Sequence, residues 1–278
     1  MRLSEVGELG LLAELERRGL ARGIEHDAAE LEGGLVVTQD ALLEDVHFRL
    51  AWTTYRELGY KAAAVNLSDL AASGAEPLAL LLTLGAPGET ELGDVLDLYA
   101  GLNEPGVPVV GGDTTRAEKL HLSVTALGRS SRVPGRDGAQ PGDLLVVTGP
   151  LGVAGAAFRK QSHARPPLRL EEGRRLAAVA HALTDISDGL AVDAGRLAAR
   201  SGCRIEIELE RVPLAEGASI DDLGFGEDYE LLAATPDALG FPVIGRCEAG
   251  EGVEIRLNGD PVTLTGWEHF CGGESDLR

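Results

Sequence analysis

The sequence predicts a mixed α and β chain folded as two domains. Three observations lead there. The 278 residues exceed the commonest single-domain length and suit two domains. Short apolar runs of strand character alternate along the chain with stretches of helical spacing, the pattern of mixed folds. Between the halves, residues 130–143 are dense in Ser, Arg, Pro and Gly and read as a joint. The domains expected on this basis cover residues 1–135 and 136–278.

In the first half, Ser4 to Arg18 places Val6, Leu9, Leu12 and Leu15 near helical spacing, with Gly19 as a stop. Leu35 to Thr38 is a short strand that delivers Gln39 and Asp40 at its end. Tyr60 to Ala72 is Ala-rich and helical, closed by Gly74 and Pro77. Leu78 to Leu84 reads as a buried strand, and Leu92, Val95, Leu96 and Tyr99 mark a helix. Val107 to Val110 is a strand running into Gly111-Gly112-Asp113. Leu120, Leu122, Val124 and Ala126 alternate with polar or small residues, as in a half-buried strand.

The second half restarts with a strand at Leu144 to Val147 and helices around Val153–Arg159 and Leu170–Leu183. Asp185 to Gly189 bridges a short strand and a helix from Leu190 to Arg200. Strands follow at Arg204–Leu209, Glu230–Ala234, Val243–Arg246 and Val253–Leu257, and Asn258-Gly259 signals a hairpin turn. No repeat or low-complexity tract stands out.

Composition narrows the function. No apolar run approaches the roughly 20 residues of a membrane-spanning helix, and the start lacks a signal-peptide pattern. The net charge of −20 argues against nucleic acid and anionic membrane as partners. The three cysteines, Cys203, Cys247 and Cys271, show no CxxC spacing and read as reduced thiols of a cytoplasmic protein. The three lysines, Lys61, Lys119 and Lys160, lie in no P-loop, and no protein-kinase signature or Gly-x-Ser-x-Gly elbow occurs. A nucleotide would have to be held through metal and backbone.

Six aspartates, Asp27, Asp40, Asp69, Asp113, Asp185 and Asp188, sit in Gly-, Ala- and Ser-rich settings or at the ends of apolar runs. Carboxylates placed so can hold hard divalent cations against a phosphorylated ligand. Bound Mg²⁺ would also reverse the local field of an acidic chain toward phosphates. Gly111-Gly112-Asp113-Thr114-Thr115 can cradle a phosphate with backbone N–H groups or form a tight turn with a capping acid. In Asp185-Ile186-Ser187-Asp188-Gly189, a helix cap explains Asp188 but not Asp185. Asn66, Ser68 and Asp69 interrupt an apolar helix, as ligands or as a buried polar network. Gly226 to Glu230 is an acidic cluster opening a strand, with an exposed turn as the plain alternative. Trp267 to Phe270 reads as a plug for the tail.

Taken in order, these segments resemble the thiamine-monophosphate kinase family of the aminoimidazole-ribonucleotide-synthetase-like (PurM-like) superfamily. Asp40 to Phe48, Lys61 to Ala72, Gly111 to Thr115, Asp185 to Leu190, Gly226 to Leu231 and Gly266 to Phe270 carry the resemblance, which runs from about residue 23 to 270. It implies a two-domain PurM-like fold, with an N-terminal α/β domain that forms a dimeric β-barrel and a C-terminal α+β domain. The implied activity is transfer of the γ-phosphoryl group of ATP to thiamine monophosphate, giving thiamine diphosphate. Asp27, Thr38, Gln39, Asp40, Asp69, Asp113, Asp185 and Asp188 would hold several Mg²⁺ ions, with Asp40, Asp69 and Asp188 central to catalysis. Tyr99, Gly112, Asp113, Arg136 and Ser187 would touch ATP. His47, Glu227 and Trp267 would meet the thiamine end, Trp267 by stacking or cation–π contact and Glu227 by offsetting the thiazolium charge.

The chain departs from the family pattern at Gln39, where a second Thr is common, and at Glu25-His26-Asp27, where Gly-Asp-Asp is commoner. The stretch between Arg200 and Gly226 is short. The resemblance implies a homodimer, with Leu120, Leu122 and Val124 as contributors. Two other readings stay open: an ATP-dependent PurM-like ligase of the aminoimidazole ribonucleotide synthetase type, and a non-catalytic acidic cation-binding module. A selenophosphate synthetase is disfavoured, since no Cys precedes Cys203.

Overall fold

Residues 2–24, 26–267 and 270 are described by a computed structural model. Two sheets organise them. The N-terminal sheet contains β1 (Ala29–Leu31), β2 (Leu35–Leu43), β3 (Glu76–Ala86), β4 (Val109–Arg116) and β5 (His121–Arg129), in the order β1-β2-β5-β3-β4. The pairs are antiparallel except β3 with β4. The second sheet holds β6 (Leu144–Val147), β7 (Ala182–Asp185), β8 (Arg204–Glu208), β9 (Leu231–Thr235), β10 (Val243–Glu248), β11 (Gly252–Leu257) and β12 (Asp260–Pro261), ordered β12-β11-β8-β10-β6-β9-β7. The architecture is a mixed α/β fold.

Among the described residues six α-helices accompany the sheets: α1 (Leu3–Arg17), α2 (Tyr55–Ala72), α3 (Leu92–Leu102), α4 (Val153–Arg159), α5 (Leu170–Ala177) and α6 (Leu190–Ser201). The central element is α2. Thr54 and Glu57 form a capping box at its start, satisfying two of the orphan N–H groups. Residues from Leu58 to Ser68 are all buried. Leu58, Leu67 and Leu70 pack with Leu122, Val124 and Ala126 of β5 in the N-terminal core. Ala71 and Ala72 belong to a second cluster with Leu176, Leu183 and Leu231. One helix therefore joins both halves, and its C-terminal turns lie between the two sheets.

Several sequence expectations are revised. Strand β2 continues to Leu43, so Gln39 and Asp40 sit inside the strand rather than at its end. Strand β3 is buried on one face only, with Leu80, Leu82 and Leu84 inside and Leu78 exposed. The helix expected over 170–183 stops at Ala177, because pairing with β9 claims Ala182 to Asp185, with Leu183 opposite Ala233. Helix α1 is interrupted at Gly7 (φ 70°, ψ 177°). The alternation in β5 is as expected, but Leu120, Leu122 and Val124 face the core and cannot form a dimer surface. The outer face of that sheet presents the alternate residues, Val37, Gln39, Ala41 and Leu43 on β2 and Ser123, Thr125 and Leu127 on β5. Asn258 and Gly259 both have φ > 0 (51° and 88°) and turn the β11–β12 hairpin. Among the described residues no helix is long and apolar enough to cross a membrane.

Candidate active site

A cavity of about 1000 Å³ opens between β2 and α2 on one side and the β7–α6 connection on the other. Its walls include Asp27, Thr38, Asp40, Asp69, Asp185, Ser187 and Asp188, together with Arg136, His47 and Glu227. Residues far apart in sequence thus meet at one place. The floor is a triad: Asp27, Asp69 and Asp185 each offer a carboxylate oxygen, all within 4.8 Å of one another.

Local structure explains each placement. Asp27 lies on the approach to β1. Thr38 and Asp40 share the inner face of β2, since residues two apart point the same way. Strand β1 pairs with β2 only as far as Val37, so the Asp40 N–H has no strand neighbour on that side. It donates to Asn66 Oδ1 at 3.0 Å, while Asn66 Nδ2 donates to the Ala62 carbonyl at 2.9 Å. Asp69 is on the inner face of α2, and the Thr38 hydroxyl donates to it at 2.5 Å. Asp185 ends β7 and accepts from the Ser68 hydroxyl at 2.6 Å. The three polar residues that interrupt the apolar helix are thus all engaged with this site.

The electrostatics follow from crowding. Burial, then the charges of Asp188 and Asp27, push Asp40 up to about 6. Burial, followed by Asp40, Asp185 and Asp27, raises Asp69 well above the usual carboxylate range. Asp185 is raised by burial and by Asp27, with the Ser68 hydrogen bond working in the opposite direction. Carboxylates gathered this closely resist sharing negative charge. Arg136 supplies partial compensation. Its guanidinium bonds Asp27 and donates to Thr184 Oγ1 at 3.1 Å, and the Thr184 hydroxyl is 3.0 Å from Asp27 Oδ1. The Arg136 N–H donates to His26 Nδ1 at 3.1 Å, so the departure at His26 seats Arg136. Glu25 lies outside the described residues.

The Ser187-Asp188 turn is fixed by a residue the motif reading missed. Asp193, fully buried, accepts from the N–H groups of Ser187 and Asp188 at 3.1 and 3.0 Å. Asp188 is therefore not the helix cap; Gly189 holds that position. Arg196, one turn further on the same helix face, reaches Asp188 at 2.6 Å and Asp193 at 3.0 Å. The Asp193 spacing past Asp188 was the available signal.

The segment around Glu227 is also buried, contrary to the exposed-turn alternative. Glu227 pairs with Lys61 at 2.8 and 2.9 Å. Asp228 accepts from Gly152 and Val153 N–H groups at the start of α4. Glu230 takes a two-pronged contact from Arg169 at 2.7 and 2.6 Å. His47 accepts the Leu43 N–H through Nδ1 at 3.1 Å. His47 and Glu227 line both the main cavity and a smaller pocket that carries Phe48, Trp52, Phe158 and Phe225. The Trp267 N–H donates to the Asp188 carbonyl at 2.9 Å, tying the tail to the same turn; Glu268, His269 and Cys271 lie outside the described residues.

Asp113, Gly112, Tyr99 and Trp267 do not line the cavity, and Gln39 borders it but turns its side chain away. The Gln39 side chain is on the opposite face of β2, where its Oε1 accepts from Thr125 at 2.9 Å. Asp113 is exposed inside β4, with Oδ1 on the Thr114 N–H at 2.8 Å. It aligns with Thr83, Ser123 and Ala41 across the sheet, three strands from β2, or about 14 Å at normal strand spacing. Gly112 (φ 145°) runs against Leu82, whose carbonyl would be 1.8 Å from an added Cβ; close strand packing is what requires the glycine here. Tyr99 packs on the N-terminal core and does not line the cavity.

Comparison with known proteins places the fold in a family. The profile of the AIR synthase related protein N-terminal domain matches residues 25–130, and that of the C-terminal domain matches residues 140–252. The thiamine-monophosphate kinase of Aquifex aeolicus is 35% identical, over 97% of this chain and 100% of that protein. The chain belongs to the thiamine-monophosphate kinase family. The family member of Salmonella typhimurium is 34% identical over 95% of this chain and 98% of its own length. Among solved structures, AaThiL complexed with AMPPCP and TMP superposes with a TM-score of 0.89 at 35% identity, covering 97% of this chain and 99% of that one. The family's fold is therefore shared along nearly the whole chain, and the mixed α/β architecture is of the PurM-like type.

Proposed function

We propose that this chain phosphorylates thiamine monophosphate to thiamine diphosphate, taking the γ-phosphoryl group of ATP by direct in-line transfer. The observation that carries the reading is the Asp27–Asp69–Asp185 triad on the floor of a substrate-sized cavity, in a member of this family whose relative AaThiL has been solved with AMPPCP and TMP. The division at 135/136 would leave an ATP- and metal-binding N-terminal domain and a C-terminal domain that closes the site.

The donor set fits magnesium. It consists of hard carboxylate oxygens with a nearby hydroxyl, and the raised proton affinities of Asp40, Asp69 and Asp185 mark a site built to gain from an added cation. Asp27, Asp69 and Asp185 would hold it, with Asp40, Asp188 and Thr38 as further oxygens. When bound, Mg²⁺ would offset the repulsion between two anionic substrates and polarise the transferred group.

The chain's own residues would do the rest. The acceptor is a phosphate oxygen already ionised at pH 7, so no general base has to unmask it. What is needed is alignment. Arg136 would hold Asp27 in place and offer its guanidinium to phosphate, and the Ser187 hydroxyl would meet the nucleotide while Asp193 fixes its backbone. His47, Glu227 and Trp267 would seat the thiamine end, and the adjoining Trp52, Phe158 and Phe225 offer faces for flat rings.

A homodimer belongs to the same reading. The outer face of the N-terminal sheet carries Val37, Leu43, Leu81 and Leu127, and closing it against a second copy would make a barrel and cover that apolar area. Gly112 and Asp113 would act on nucleotide or metal through that assembly. A coupled ADP-release assay, run with thiamine monophosphate and with aminoimidazole precursors, tests the function. Mg²⁺-dependent release with thiamine monophosphate is expected; release only with an aminoimidazole precursor, or none at all, would refute it.

A further inference from the structure

We infer that Lys61 is a positioning residue for the acceptor substrate: its ammonium holds the Glu227 carboxylate and the His47 carbonyl together, a preset clamp whose two charges offset each other. The inference rests on the proposed kinase reading. Lys61 stands on α2 between Tyr60 and the run Ala62-Ala63-Ala64, a strongly apolar place for a cation, and its side chain is only 5% exposed. Nζ reaches Glu227 Oε1 and Oε2 at 2.8 and 2.9 Å and the His47 carbonyl at 2.9 Å. Its three donors are thereby used.

The contact spans 166 residues of sequence and joins the two halves at the point where His47 and Glu227 come together. Glu227 needs such a hold. Its backbone is left-handed (φ 57°), as is that of Tyr229 (φ 51°), conformations that non-glycine residues keep only when their surroundings impose them. The Glu227 N–H donates to the Ser187 carbonyl at 2.8 Å, and an added Cβ on Gly226 would lie 2.4 Å from that same carbonyl. A shift of Glu227 would thus reach the Ser187-Asp188 turn.

The pairing also changes the chemistry expected of Glu227. A carboxylate with a buried ammonium at hydrogen-bond distance presents no free negative charge to a cationic ring. His163, in the adjoining aromatic pocket, adds none of the opposite sign: burial, then the Lys61 charge, brings its imidazole down to about 4, so it is neutral at pH 7. Selection at this end would then come from fixed shape, ring faces and hydrogen bonds.

Steady-state kinetics with both substrates, paired with thermal melts, test the inference on the wild type, Lys61→Met, Glu227→Gln and the double variant. Lys61→Met is expected to raise KM for thiamine monophosphate at least tenfold while KM for ATP stays within about twofold. The double variant is expected to be no worse than the worse single variant, because the two residues act as one unit. Should Lys61→Met fail to fold, Lys61→Gln, which removes the charge but keeps a polar side chain, carries the same comparison. A lowered melting temperature with an unchanged ratio of the two KM values, or single-variant effects that multiply in the double, would overturn the inference. A wild type that turns over no thiamine monophosphate would overturn the function reading and this inference with it; an active wild type with unaffected Lys61 variants would overturn the inference alone.

Discussion

Removing one charge from the acid cluster is expected to stabilise the metal-free protein while destroying its activity. Asp40→Asn is the cleanest case. Asp40 is half-buried on the inner face of β2, and its backbone tie to Asn66 does not depend on the side chain. In the unfolded chain an aspartate loses its proton near 3.8, whereas burial together with Asp188 and Asp27 holds the folded group to about 6. Between those values the folded state binds more protons than the unfolded state, so wild-type stability falls as pH rises through that window and stays low above it. A difference of about two pH steps corresponds to roughly 3 kcal/mol. That is an upper value, because water in the cavity screens the charge. Asparagine never pays this electrostatic penalty. In EDTA at pH 8 the variant is expected to gain about 1–3 kcal/mol, or roughly 3–10 °C in melting temperature for a chain of this size. At pH 4 the two proteins are expected to melt together, since Asp40 is then largely protonated in the folded wild type. Urea titrations at the two pH values measure the difference. An Asp40→Asn variant no more stable than wild type at pH 8, or equally stabilised at both pH values, would refute the argument from crowded carboxylates.

Other expectations concern the metal, the fold and the assembly. Mg²⁺ with ATP is expected to raise the melting temperature, by about 2.7 kcal/mol of stability at a hundredfold excess over Kd, with EDTA reversing the effect; a melting curve that ignores Mg²⁺ would count against the cluster. Asp69→Asn and Asp188→Asn are each expected to cut kcat by more than about a hundredfold with near-native circular dichroism, and near-normal turnover in both would sink the ligand assignment. Arg169→Met is expected to cost up to about 3 kcal/mol, because Glu230, 4% exposed, would lose its half-buried counter-ion; a denaturation midpoint unchanged from wild type would contradict this. Leu127→Arg on the outer face of the N-terminal sheet is expected to give a folded monomer by sedimentation, and an intact dimer would remove that face from the proposed interface.

Much of the site could be read from the chain because several acids stood out against their setting. An aspartate behind Ile186, or three polar residues inside an Ala-rich helix, asks for an explanation that solubility does not supply. Asp27 and Asp40 are weak signals alone, and it is the family resemblance that groups the six aspartates; the cavity walls contain all of them but Asp113. Gln39 and Asp113 were harder. A strand's two faces differ by a single residue, and the length of β2, set by its pairing with β5 from Leu35 to Leu43, decides which side Gln39 takes. Asp113 lies within a strand whose extent depends on β3, a partner that local sequence does not reveal. Lys61, Asp193 and Arg196 were missed for a related reason. Each acts on a partner distant in sequence or behind the motif, and only the tertiary fold brings Glu227 to Lys61. The helix expected to run to Leu183 failed because strand pairing outweighed a weak local preference for helix.

The most direct measurement follows the fate of the transferred group. Mixing γ-labelled ATP, Mg²⁺ and thiamine monophosphate with the protein is expected to place the label in thiamine diphosphate, with none retained on the protein when the acceptor is left out. Label trapped on the chain, or released only as inorganic phosphate, would contradict a direct transfer across the aspartate-lined cavity.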